Sequence, residues 1–523
     1  MKRRLKYISS VIAICMLPAL LFSQQISEKR HYTFEKIEMK TPWLLSGNGA
    51  GIVFNTAQNY ANIGSYFTNE SGTYKNFNQP ENYSTFGIET KSYTKIKKVF
   101  FYGAFRYDYG INKDLAWRGT IYPGSNINTI VDSIPGKVLR EDYIMNGKVG
   151  YNLSKRIAVG VAFDYQTSTA AKRVDGRNLN TLSKMSVSPG FTFTSKPLDA
   201  GLNLTYRRNV ERLEYTYIGD KTGKSIYYME GLWFYTVTGI TNTTTLNRAY
   251  FQDLAGASLQ AQIKAGRLTF FNQFSVDYGD EDDFEGGTSA TSKRYAKVEM
   301  LKYVYDGVLR YSAGKTDHFL TLSFVNDENL SYNIINNYEP IPGEANSWTF
   351  YEYGKTLRYM TNYRKLGAEY KTYFRDGDWK CNWILAAGYN QHSVEKRYKA
   401  FPAYYYQDYT LNEIYARVNR DFDLNENASL NLDLNGAYIY GDGTKLRSYN
   451  PLTVGALKLN NSILDSDFDY NTAQRISIGG AIKYQRVLNA AKGTSIYGGL
   501  AYKYLTADDK NRGFFSMSVG LNF

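Results

Sequence analysis

GFFSMSVGLNF, residues 513–523, decides the fold. Phe515, Met517, Val519, Leu521 and Phe523 are apolar, while Ser516, Ser518, Gly520 and Asn522 between them are small or polar. Strict alternation with period two describes a strand with one greasy and one wet face. The same pattern recurs upstream. In RIAVGVAFDY (156–165), Ile157, Val159, Val161 and Phe163 share a face opposite Arg156, Ala158, Gly160 and Asp164. In QRISIGGAIKYQ (474–485), Ile476, Ile478 and Ile482 oppose Arg475, Ser477 and Lys483.

The gaps between alternating segments are unequal in a regular way. Short polar gaps fall at 94–97, 153–156, 196–199, 265–267, 313–317, 375–378, 423–427 and 489–493, and one long gap lies between each consecutive pair. Short turns alternating with long loops are the connectivity of a transmembrane β-barrel, with the short turns periplasmic and the long loops extracellular. The alternation predicts about 18 strands, or 16 if a weak segment such as 60–70 is not one, and an even number places both barrel ends on the periplasmic side.

Composition agrees. The 49 tyrosines and 28 phenylalanines suit aromatic girdles at both interfaces. No run after residue 23 approaches the ~18 apolar residues that a membrane helix needs, which excludes an α-helical membrane protein. The opening MKRRLKYISSVIAICMLPALLFS carries Lys2, Arg3, Arg4 and Lys6 before an apolar run, so residues 1–23 read as a cleaved signal peptide for export to the outer membrane of a Gram-negative bacterium. Removing those four cations takes the formal charge from +13 to about +9, spread along the chain. No basic block suggests nucleic acid. Cys381 is the one cysteine left, so neither a disulfide framework nor a thiolate metal site is expected. The domains expected are a periplasmic segment or short plug at 24–58 and the barrel at 59–523.

Two resemblances add to this reading. The terminal strand, with Phe515, Met517, Val519, Leu521 and Phe523 in phase, resembles the C-terminal signal of bacterial outer-membrane proteins, which implies recognition by the barrel-assembly machinery. The segments TPWLLSGNGAG (41–51), AAKRVDGRN (170–178), SVSPGFTF (186–193) and GLNLTYRRNVE (201–211) resemble a Bacteroidota outer-membrane β-barrel family known only as a domain of unknown function. Asp175-Gly176-Arg177 stands where that family is expected to carry Asp-Pro-Arg. The resemblance implies a nutrient-uptake setting, with a TonB-dependent receptor or a surface lipoprotein as a possible partner, and brings no catalytic residues.

Function must come from the lumen and loops. Strand residues in phase with the polar face include Lys98, Arg106, Arg156, Arg207, Lys264, Arg310, Lys365, Lys371, Arg417, Arg475 and Lys483, outnumbering the acidic ones. Cationic walls around a water path favour anions. Three readings follow: a channel or transport-associated barrel for small solutes, anions among them; a non-conducting interaction barrel; and an outer-membrane hydrolase. The third is the weakest, because of the three histidines His31 precedes the barrel, His318 falls at a short turn, and His392 and Ser393 point to opposite faces. No enzyme, cofactor or metal is expected. GDEDDFEGG (279–287) reads as a solvated acidic loop without EF-hand spacing. The aromatics of IYYMEGLWFY (226–235) read as packing into the barrel mouth.

Overall fold

A computed structural model describes residues 31–57, 59–122, 124, 126–219, 224–239, 244–286, 292–344, 346–400, 403–448, 458–489 and 493–523; the leader and Cys15 lie outside them. Eighteen antiparallel strands form one sheet that closes on itself. They are β1 (Tyr60–Gly72), β2 (Asn82–Ile96), β3 (Val99–Leu115), β4 (Gly136–Asn152), β5 (Ile157–Lys172), β6 (Arg177–Thr194), β7 (Leu198–Tyr217), β8 (Thr244–Ala265), β9 (Leu268–Glu285), β10 (Lys293–Ala313), β11 (Thr316–Pro340), β12 (Trp348–Arg375), β13 (Cys381–Ala400), β14 (Ala403–Asn425), β15 (Ala428–Ser448), β16 (Arg475–Asn489), β17 (Thr494–Ala507) and β18 (Lys510–Asn522).

Each strand pairs with its neighbour in sequence, and β18 closes onto β1 with Ile63 opposite Leu521 and Phe67 opposite Met517. Beyond β18, Phe523 N donates to the Ala61 carbonyl (3.0 Å) and Ala61 N to that of Phe523 (2.8 Å). Closure leaves no unpaired edge, which a sheet in hydrocarbon requires.

The outside of the barrel is apolar and exposed: Ile478 is 67% and Val519 50% accessible. Residues of the alternate phase on the same strands, such as Ser477 and Asn522, turn inward and are buried. An apolar exterior around a polar interior is the arrangement that meets lipid outside and water inside.

The short gaps read from the sequence that lie wholly within the described residues are tight connections at one end of the barrel. At the other end the strands run on. The interval 167–185, expected as a long loop, is strand except for residues 173–176, and β11 and β12 reach 25 and 28 residues. About 9–11 tilted residues span a bilayer. The surplus raises a tall wall over β10–β15, facing a low rim where β1 and β18 have 13 residues each.

Candidate functional site: a lumen closed at both ends

Residues 31–57 lie inside the barrel at the short-turn end. Thr33 caps the short helix α1 (Phe34–Lys40), its hydroxyl accepting from Lys36 N. Pro42–Leu44 and Gly49–Phe54 follow as 3₁₀ turns. Trp43, fully buried, lies against Phe54 (4.7 Å between rings) and Phe271 (5.2 Å). Tyr32, Ile37, Leu44 and Ile52 share an apolar cluster with Phe100 and Tyr93 of the wall.

Polar contacts run from this segment to strands all round the barrel. Glu35 accepts from Arg417 (3.0 Å) and Lys371 (3.4 Å), Lys36 pairs with Asp421 (3.0 Å), and Glu38 accepts from Lys91 (2.5 Å) and Tyr93 (3.1 Å). Lys148 donates to the Leu44 and Ser46 carbonyls, both at 2.7 Å. Asn48 Nδ2 donates to the carbonyls of Phe191 (3.0 Å) and Leu202 (3.3 Å) and to Gln260 Oε1 (3.0 Å). Burial opposes ionisation of Glu35, yet Arg417 and Lys371 hold its carboxyl below the ordinary range.

The segment can sit this close because the wall there is glycine. Gly150 pairs with Gly160 and Gly160 with Gly190 across three strands, while Gly201 lies on the fourth. A Cβ on Gly160 would stand 2.5 Å from Ala50 N, and one on Gly49 would stand 2.2 Å from Val161 C. Backbone therefore lies on backbone, with no room for side chains between.

The opposite mouth is covered by a small four-stranded sheet, Ile130–Val131, Ser225–Met229, Phe234–Gly239 and Lys458–Leu459, and by the helix α2 (Asn461–Thr472). The aromatics of 226–235 pack inward, as expected. Phe234, with no exposed surface, stacks on Tyr398 (3.9 Å) and joins Leu232, Tyr359, Tyr405 and Leu464. Lys396 of β13 and Asn76 hold Asp467 of α2 at 3.3 and 2.8 Å.

Polar cavities remain in the lumen. One of about 660 Å³ adjoins Leu45–Gly47 and is lined by Lys148, Lys184, Arg207 and Lys302 against Asp164 and Asp277. A second of about 540 Å³ balances Arg417, Lys483 and Lys503 against Glu369, Glu413 and Asp433. A third of about 470 Å³ lies beneath the cap, between Trp117, Trp233, Asn126, Asn329 and Glu281.

Most of the basic residues singled out by charge phase have partners. Arg106 bonds Asp108 (3.0 Å), Lys264 bonds Asp199 (2.5 Å), Arg310 bonds Asp317 (3.2 Å) and Arg417 bonds Asp433 (2.7 Å). Arg207 bonds Asp277, and Lys371 bonds Glu369 (3.1 Å) as well as Glu35. Arg475 donates to Tyr74 (2.5 Å), Lys483 lies over the Tyr497 ring (4.1 Å), and Lys365 stands opposite His392 in the β12–β13 ladder. Lys98 and Arg156 are a correction: both lie in short turns rather than on the inner wall. Phase alone extended each strand one residue too far there.

Charge phase along the strands omitted Glu35 and Glu38, which the N-terminal segment brings in, and missed Asp199, Asp317 and Asp421. The signal for Asp421 was present, since it shares phase with Arg417. The acidic residues from Asp280 to Glu285 are also not a solvated loop but part of β9. Asp280 and Asp282 pair outside with Lys297 and Arg294 (both 2.8 Å), while Glu281 and Asp283 are buried inside, Asp283 accepting from Asn128 (2.8 Å). His392 bonds Tyr363 (2.6 Å), and Ser393, on the other face, bonds Thr410 (3.1 Å). His318 bonds Tyr370 (2.7 Å) on the outer face.

The chain belongs to a family of unknown function (DUF6850), which its residues 49–523 match. No curated protein matches it. Among solved structures, the ferric preacinetobactin receptor BauA of Acinetobacter baumannii shares 8% identity over 89% of this chain and 80% of its own, with a TM-score of 0.40. The outer membrane transporter YddB of Escherichia coli shares 9% over 90% and 81% (0.39), and the RagAB peptide importer 7% over 90% and 87% (0.37). At these values the likenesses carry no argument; the barrel rests on its own strand pairing.

Proposed function

We propose that this protein is an outer-membrane barrel of a Gram-negative bacterium that passes, or helps to take up, a small anionic solute, with residues 31–57 as an inner gate and the loop sheet as an outer one. The observation that carries the reading is the 660 Å³ cavity beside the gate, lined by four cations, of which Arg207 pairs with Asp277 and Lys302 with Asp327, leaving Lys148 and Lys184 beside Asp164. In a confined aqueous space such a wall raises the local concentration of anions and needs no chemical step. Planar-bilayer recordings under a salt gradient test it. Current should reverse at a potential of anion sign, and Lys184→Gln with Lys302→Gln should move that potential towards zero. A cation-preferring current overturns the reading, as does silence from a chain with both gates loosened.

Closure at both ends favours a second reading, a non-conducting accessory of a TonB-dependent receptor or a surface lipoprotein. Co-purification from native membranes, with and without the segment 218–243, distinguishes it.

A further inference from the structure

Among the described turns, the basic residues of the short-turn rim fall on one arc. Five successive turns hold Lys97 and Lys98, then Lys155 and Arg156, then Lys196, then Arg267, then Lys315, all exposed. These turns contain no carboxylate, and the nearest buried ones, Asp199 and Asp317, are already engaged by Lys264 and by Arg310 and Arg375. The next turn differs: residues 376–380 include Asp376 and Asp378, and Lys380 bonds Asp376 and Asp423.

The cations also stand at a definite height. Ile96, Phe101, Tyr151, Ile157, Phe193 and Leu268, all exposed on the apolar exterior, flank these turns within five residues. A Lys or Arg just past an apolar band reaches the level of lipid headgroups, with its stem along the hydrocarbon and its charge among phosphates. Arg420 on β14 shows the local version: its guanidinium lies 4.4 Å from both the Trp383 and Phe422 rings on the outer face near the same rim.

We infer that the arc from Lys97 to Lys315 binds the phosphate headgroups of anionic phospholipid in the leaflet at the short-turn end. The inference rests on the reading of the chain as a membrane barrel. Continuity with the lipid-facing band favours a lipid over an acidic soluble partner, which would need no apolar flank.

The full chain reconstituted in phosphatidylethanolamine vesicles containing a minority of phosphatidylglycerol tests this, by extraction in mild detergent and analysis of the lipid retained. Retained phosphatidylglycerol should exceed its bulk fraction about two- to fivefold. The variant Lys98→Gln, Arg156→Gln, Arg267→Gln, Lys315→Gln should fall to the bulk fraction, and Lys380→Gln should retain the enrichment. Salt near 1 M, where the screening length is about 3 Å, should also remove it. Wild-type protein at the bulk fraction, or enrichment that survives the quadruple variant, overturns the inference. Flotation and heat-modifiable mobility report insertion separately, so a chain that fails to insert overturns the barrel reading itself.

Discussion

Gly160→Ala should dislodge residues 31–57 from the barrel wall. The new Cβ would meet Ala50 N and Val149 O, each at 2.5 Å, and Gly49 C at 2.6 Å, all backbone atoms that cannot rotate away. Relief to ordinary contact needs a shift of about 1 Å, and overpacking of this kind costs about 1–3 kcal/mol. The same shift carries Asn48 away from acceptors now at 3.0, 3.3 and 3.0 Å, beyond hydrogen-bonding range. Each buried group left unsatisfied costs about 1–3 kcal/mol, so the local penalty is on the order of 3–6 kcal/mol, less than a simple sum. Trypsin reads the outcome, because Lys36 is 5% exposed. In the folded protein Lys36 should resist cleavage, and in the variant it should be cut while the barrel keeps its heat-modifiable mobility. Gly147→Ala, whose Cβ meets nothing nearer than 3.9 Å, is the control. Gly49→Ala attacks the same contact from the other side, so combining it with Gly160→Ala should add little. Equal protection of Lys36 in Gly160→Ala and wild-type protein would refute the close docking of backbone on backbone.

Acid should loosen the same segment. The folded pKa of Glu35 is depressed, so its clamp on Arg417 and Lys371 is complete above the unfolded value, near 4.3, and is lost as pH falls through the lower folded value. Amide exchange of residues 34–40 should quicken across that window in wild-type protein, and Glu35→Gln should exchange faster at neutral pH with no such step. Phe234→Ala empties the stack on Tyr398 and should cost the cap about 3–5 kcal/mol, seen as faster exchange in residues 225–239 while the barrel melts as before. Phe523→Ser should leave refolding in vitro unchanged but lower the yield of assembled barrel in cells, measured as the heat-modifiable band; an unchanged yield removes the assembly role from this residue.

The short turns and the strand number were legible because apolar and polar residues alternate wherever one face meets lipid. Legibility fails above the band, where both faces are wet or covered by loops. Around residues 167–185 the ladder continues from Thr167 opposite Ser183 up to Ala171 opposite Leu179, yet Leu182 turns inward to the mouth and the alternation inverts its meaning. The lumen was legible one wall at a time. Arg417 and Lys371 could be placed by phase, but their shared partner Glu35 lies more than 330 residues away in sequence. The glycine bed was hidden for the same reason: Gly150, Gly160, Gly190 and Gly201 become neighbours only once strand register is fixed. Close approach of backbone also accounts for Gly49 and Gly51, whose Cβ positions lie 2.2 and 3.0 Å from backbone atoms.

Two closures in one lumen act as resistances in series, so the tighter one sets the current. Loosening only the inner gate with Gly160→Ala leaves Phe234, Leu232 and Leu464 packed on Tyr398 and Tyr405 across the mouth, and conductance should stay near that of wild-type protein. Loosening only the cap with Phe234→Ala leaves Asn48 and Glu35 bridging the opposite walls, with the same result. The double variant should conduct far above the sum of the two single ones. That excess is a coupling between sites at opposite ends of the barrel, where side-chain contact cannot supply it and independent stability effects would simply add. It therefore separates a gated path from a barrel that merely leaks when damaged. Single-channel recordings of the four chains decide the matter: full conductance from Gly160→Ala alone would show that the cap is already porous and reduce the gates to one.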